Sequence, residues 1–428
     1  MIDGRATVGV GMAGFIGLLC VLTLIGVSYL DRTRLAGAGF ALFLVSSLLV
    51  RSFGDIWLGL GWIGLFGGFW LARRKSVGPV FYAGAALLGF HLLAIPGSII
   101  WGAGNWESTT AIVLWMAPSV MLLTTAVPVT FIWLIPVWFI HGTLIAYSAF
   151  TNWHLSGDGI IVREAMPGGL SHNTNLAAGF LVVGIIYLLA DRRLQWFAVP
   201  LLLVLPLTGS RWAALVCLCL VIVMALAGRI NWRPVVVGAC LLVMLLLAVW
   251  GYYPTSNYAL SGFDSFASLL HPLSNGQVQA RLAMPHLPSI LPYGVAEHPG
   301  LHNVPLRIAV ENGILAALVW LAITGWALWP RKGVKQAASE PNHGRRGDRG
   351  STAVSGPSER FPVFWWMLLA LALLSLLDYY TWMGHLGGFW WLLVGMRLHR
   401  YGKPSSFPDG TSLLTRAAPA TPPTVPPR

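Results

Sequence analysis

Charge is what this sequence has least of. Only 10% of its 428 residues are Asp, Glu, Lys or Arg, where an average soluble chain carries about 25%. Too little polar surface remains to coat a water-soluble domain of this length. That argues against soluble enzymes, nucleic-acid readers and disordered scaffolds. Soluble-type motifs are also missing: there is no Gly-rich loop ending in Gly-Lys-Ser/Thr, no His-Glu-x-x-His and no Cys-x-x-Cys. No close pair of acids stands in an outer loop to hold a divalent cation, so ATP-driven and metal-dependent readings are weakened, and neither cofactor nor metal is expected. Membrane-embedded acids are few, which weakens an ion-coupled transporter. Cysteine is scarce. Cys20, Cys217, Cys219 and Cys240 all lie in apolar runs and read as small core residues, not as a disulfide or metal framework.

What is abundant is apolar surface, at 56% of residues and a mean hydropathy of +0.70. A spanning helix needs about 20 mostly apolar residues. Runs of that kind cover 7–30, 36–50, 55–71, 77–101, 109–124, 129–149, 172–190, 194–209, 211–228, 234–251, 306–330, 361–379 and 385–399. The expected fold is an all-α integral membrane protein, a polytopic bundle of about 12–13 transmembrane helices with one long periplasmic loop. The first run is long for a signal peptide and reads as a retained helix. Most of the 21 tryptophans, such as Trp101, Trp250 and Trp329, fall near run ends as an interfacial belt.

The basic residues are sorted by place. They cluster in short gaps at 31–34, 73–75, 191–193 and 229–233, and the segment 331–360 holds seven Lys/Arg against three acids. These gaps read as cytoplasmic under the positive-inside rule, so the net charge of +12 requires no nucleic-acid partner. The stretch 251–305 then lies outside, and it contains a single basic residue, Arg281. Segment 151–171 and the turn at 208–211 fall on the same side. The expected organisation is N-terminal helices over 1–171, a core over 172–330 enclosing the loop 251–305, a cytoplasmic loop over 331–360, C-terminal helices over 361–402 and a disordered cytoplasmic tail over 403–428.

Outside, the polar set is sparse. Ser210-Arg211 stands at a hinge between two apolar runs, where a guanidinium needs a partner or must snorkel to a lipid phosphate. Arg281 lies in the long loop, which also carries His271, His286, His298 and His302, four of eleven histidines. His302-Asn303 immediately precedes the next span. Asn173 suits a helix N-cap, and Asn175 would then face the bundle. Arginine's planar fork matches phosphate oxygens and keeps its charge, while a neutral imidazole takes a proton near physiological pH. Together these groups fit transfer from a lipid diphosphate to an alcohol, with arginine stabilising the leaving group.

Three stretches resemble the O-antigen ligase and O-antigen polymerase superfamily, bacterial polytopic glycosyltransferases. Asn173-Thr174-Asn175-Leu176-Ala177-Ala178 is similar to its Asn-x-Asn-x-x-Ala helix start. Thr208-Gly209-Ser210-Arg211-Trp212-Ala213 resembles its Thr-x-Ser-Arg-x-Ala turn. His302-Asn303-x-x-Leu306, followed by Glu311-Asn312-Gly313, resembles the signature that closes its outer loop. The likeness covers roughly residues 170–330. The family often has a second histidine two residues upstream; here that position is Gly300, and the nearest histidine is His298.

The resemblance implies catalytic roles for His302, which would activate the acceptor hydroxyl, and for Arg211 and Arg281, which would hold the diphosphate. Asn173, Asn175, Ser210, His298 and Asn303 would line the substrate site. Glu311 also reads as a helix-internal charge paired with an arginine. The partners implied are an undecaprenyl-diphosphate-linked glycan donor, a lipid A core or second lipid-linked glycan as acceptor, and the lipids of the inner membrane, with the site facing the periplasm. Ligation to lipid A core is favoured over polymerisation, and both over transfer to protein. A lipid-linked saccharide transporter is the competing class; it would distribute polar residues on both sides of the midplane and repeat one half of the chain, neither of which is found.

Overall fold

A computed structural model describes residues 79–100, 134–151, 153–155, 161–163, 169–170, 174–252, 302–329 and 363–377, with shorter pieces between 270 and 292 and between 387 and 395. The expected runs before 77 and at 109–124, the loop 331–360 and the tail 403–428 lie outside the described residues.

In chain order the helices are α1 (Pro79–Ile100), α2 (Leu134–Thr151), α3 (Thr174–Ala190), α4 (Ala198–Val204), α5 (Arg211–Leu226), α6 (Trp232–Tyr252), α7 (Val304–Asn312), α8 (Ile314–Leu328) and α9 (Val363–Leu374). Helix dominates, as expected. One antiparallel ribbon, β1 (Trp153–Leu155) with β2 (Ile161–Arg163), departs from an all-α chain; it pairs Trp153 with Arg163 and His154 with Val162. Among the described residues, no helix is both long and apolar enough to cross a membrane.

Helix α3 is the axis of the bundle. Its residues from Leu176 to Ile186 are buried without interruption, because α2, α4, α5 and α9 pack around it. A helix apolar all round is one surrounded on every side. Trp138 of α2 forms a triangle of rings with Phe180, at 6.0 Å, and Phe389, at 6.4 Å and nearly parallel, which are themselves 6.1 Å apart. Gly184 admits this ring: a Cβ there would stand 2.7 Å from Trp138 Cδ2.

Two expected spans come out differently. Segment 194–209 is a 3-10 turn (Gln195–Phe197), the seven-residue α4, and a second 3-10 turn (Leu205–Thr208). Pro206 has no N–H to continue an α ladder, which shortens the helix before it. Segment 306–330 is cut into α7 and α8 by Gly313, whose φ of +90° suits a residue without Cβ. The cysteines divide as well. Cys217 is buried, but Cys219 and Cys240 are exposed; residues two apart point to different sides of a helix, so an apolar run does not make each member core.

Candidate functional site

The turn before α5 is made by hydrogen bonds of its own. Thr208 Oγ1 donates to the Leu205 carbonyl at 2.8 Å and accepts from the Ser210 amide at 3.2 Å. Gly209, at φ +72°, closes the 3-10 turn, and its amide bonds to the Pro206 carbonyl at 3.0 Å. The chain can therefore reverse while Ser210 stays only 4% exposed. Ser210 holds the N-cap position of α5 but makes no side-chain cap bond. Arg211, half-buried, is the first helical residue, where α5 contributes the positive end of its dipole.

Trp212 fixes this turn to the rest of the bundle. Its Nε1–H donates to the Leu374 carbonyl at 3.2 Å, across 162 residues of sequence. The next two carbonyls of α9's C-terminal turn are taken by the other motif. The Val304 amide donates to the Ser375 carbonyl at 2.9 Å, and Asn303 Nδ2 donates to the Leu376 carbonyl at 2.8 Å. Asn303 also caps α7, its Oδ1 accepting from the Leu306 amide at 2.9 Å. The last carbonyls of a helix have no partner within it, so α9 offers three acceptors in succession. Trp212, next to Arg211, and Asn303 and Val304, the two residues after His302, occupy them. His302 itself is half-buried, with Nδ1 shielded from solvent.

Beyond Asn303, α7 carries an ion pair that the sequence reading allowed for at Glu311 without naming its partner. Arg307 Nε–H donates to Glu311 Oε1 at 2.8 Å, with the two side chains 11% and 4% exposed. The i,i+4 spacing was the legible signal. At the following break, the Ile314 amide donates to the Ser289 carbonyl at 2.8 Å, which ties that part of the 251–305 segment to the start of α8.

A second unforeseen residue is His141 of α2, fully buried. Its Nδ1 accepts from the Leu170 amide at 3.0 Å, so Nε2 carries the proton and donates to the Ala177 carbonyl at 3.2 Å. It thus clamps the segment entering α3 against the first turn of that helix, beside half-buried Asn175. Gly169 touches this ring at φ +61°, and a Cβ there would lie 2.8 Å from His141 Nδ1. A lone histidine in an apolar run was its only mark.

The two ends of the bundle differ in chemistry. After α3, Arg192 Nη2 reaches the Gly228 carbonyl, which follows α5, at 3.5 Å. The C-termini of α3 and α5 therefore share one end, and their N-termini, with Asn175, Ser210 and Arg211, share the other. Trp365 Nε1–H, early in α9, donates to the Leu328 carbonyl of α8 at 2.9 Å, as the same alternation requires. Ser210, Arg211, His302 and Asn303 are thus gathered around the end of α9, with Asn175 at the same end of the bundle. Asn173, Arg281 and His298 lie outside the described residues. Among the described residues, no group of three His, Cys, Asp or Glu side chains is placed to hold a metal ion. No family model matches the chain, and no curated protein and no solved structure is similar to it.

Proposed function

We propose that this chain is a membrane-embedded glycosyltransferase that moves a glycan from an undecaprenyl-diphosphate carrier to an acceptor hydroxyl, with lipid A core as the favoured acceptor. One observation carries the reading: Trp212 and Asn303, neighbours of Arg211 and His302, bond to carbonyls two residues apart at one helix end. A guanidinium and an imidazole held there have the complementary tasks of the transfer. Arg211 forks onto diphosphate oxygens and offsets the charge that develops as the glycosidic bond to phosphate breaks. His302 takes the proton of the attacking hydroxyl as its oxygen bonds to the anomeric carbon. Arg281 supplies a second guanidinium to the same leaving group.

The membrane part of the proposal draws on the apolar residues that the bundle leaves outside. Leu226 is 84% exposed, Met244 65% and Val243 53%, and such a surface is stable in hydrocarbon where water would drive it to associate. The arginines at 192, 193, 229 and 233 then face the cytoplasm and the Arg211 end faces the periplasm.

The test is transfer by purified protein given a lipid-linked glycan and, in separate reactions, lipid A core. A shifted lipid A band is expected; a ladder on the carrier lipid instead assigns polymerisation. The His302→Ala protein should remain folded and inactive. Normal transfer by that variant refutes the role of the imidazole as base.

A further inference from the structure

At the end of the bundle opposite Arg211, about 24 Å away along the 16 residues of α5, two turns that pack together at one corner carry four arginines. Arg192 and Arg193 follow α3, and Arg229 and Arg233 flank the turn into α6. Buried Gln195 makes the two turns one rigid piece. Its Nε2 donates to the carbonyls of Leu189, at 2.8 Å, and Arg229, at 3.4 Å, while its Oε1 accepts from the Asn231 amide at 2.9 Å. Arg192 is drawn across to the Gly228 carbonyl, which brings its charge close to Arg229. Burial, and then repulsion from Arg192, hold the Arg229 guanidinium below its ordinary pKa.

Among the described residues, four arginines here stand against one carboxylate, Asp191, whose Oδ1 already accepts from the Arg193 amide at 2.9 Å. The C-termini of α3 and α5 contribute about half a negative charge each, enough to account for one guanidinium. The N-terminus of α6, capped by Asn231 Oδ1 on the Arg233 amide at 3.1 Å, adds positive potential. Around the corner stand Trp196, Phe197 and Trp232, each more than half exposed. A surplus of forked cations on a preorganised backbone, rimmed by aromatic rings of which the two indoles are amphipathic, matches an anion that has an apolar tail.

We infer that this corner binds the phosphodiester headgroup of an anionic membrane lipid, with Arg192 and Arg229 on the phosphate and Trp196 and Trp232 beside its glycerol and upper acyl chains. The site rests on the membrane reading above and is independent of the glycan chemistry.

The test uses the full chain in detergent with equimolar phosphatidylglycerol and phosphatidylcholine, with bound lipids counted by native mass spectrometry. Wild type should retain phosphatidylglycerol preferentially. Arg192→Gln/Arg229→Gln should weaken that preference by about ten-fold or more, the loss expected from charge-assisted bonds, and Arg192→Lys/Arg229→Lys should keep part of it. Equal retention of both lipids by wild type overturns the inference, as does an unchanged preference in the Gln variant. Inorganic phosphate at millimolar concentration is the third arm: if it strips the lipid, the corner is a free-anion site and the lipid assignment is wrong. Should the Gln variant fail to fold, wild-type selectivity and the phosphate challenge still decide the matter. Glycan transfer by the same preparation is scored apart. Transfer without lipid selectivity removes only this site, and selectivity without transfer removes only the reaction.

Discussion

Arg211 and Asn303 do their work through different parts of the residue. In the proposed reaction it is the shape of the Arg211 charge that matters: replacement by Ala should abolish glycan transfer, and Lys should restore little, because an ammonium is a point charge that cannot bridge two phosphate oxygens. The expected order in initial rate is Arg, then Lys lower by about ten-fold or more, then Ala; a Lys variant as fast as wild type removes the bidentate role. Asn303 uses both ends of its amide, accepting from the Leu306 amide and donating to the Leu376 carbonyl. Asn303→Ser keeps a cap acceptor but is too short to reach Leu376, whereas Asn303→Ala loses both, and the cap alone contributes about 1 kcal/mol. Melting temperatures in detergent should therefore fall in the order Asn, Ser, Ala. If Ser melts with wild type, the bond to α9 contributes nothing.

At the scale of elements, α7 is the unit that ties the candidate site together. Its start is bonded to α9, its middle holds the Arg307–Glu311 pair, and its end is set by Gly313. A buried pair need not add stability, but a buried carboxylate without its cation costs about 3–5 kcal/mol. Arg307→Met should therefore destabilise far more than Arg307→Met/Glu311→Leu, read by thermal unfolding; equal losses would show that packing, not charge, sets the effect. Glu311 was legible as a paired internal charge because the i,i+4 spacing is local. The break at Gly313 was not, since a glycine inside an apolar run is compatible with continuous helix and only its backbone angle marks the turn. On α3, Gly184→Ala should cost about 1–3 kcal/mol, because the added methyl meets the fixed Trp138 ring; an unchanged melting temperature would mean that the ring moves aside.

At the largest scale, the bundle of described helices has two chemically different ends. Orientation follows from that polarity if the bundle lies in a membrane. With Cys20 and, among the described residues, the exposed thiols Cys219 and Cys240 replaced by Ser, introduced cysteines can report it. Leu287→Cys, at an 83% exposed position in the loop that bonds to the start of α8, should react with an impermeant maleimide from outside intact spheroplasts. Arg193→Cys should react only after permeabilisation. The reverse pattern would turn the candidate site to the cytoplasm, away from where the lipid-linked glycan is presented in the proposed reaction.

Helical character and the separation of basic gaps from a nearly uncharged loop were determined by sequence alone. Both are sums over many local residues, and an apolar run or a cluster of arginines is visible without knowing what it touches. Tertiary structure alone decided that the 208–212 turn and the 302–304 segment share the end of α9. The groups that join them are the main-chain carbonyls of Leu374, Ser375 and Leu376, and a carbonyl looks the same in every residue. It also decided which cysteines face inward and where segment 194–209 gives up α geometry. Those outcomes depend on what packs against each face of a helix, and the partners come from segments far apart in the chain.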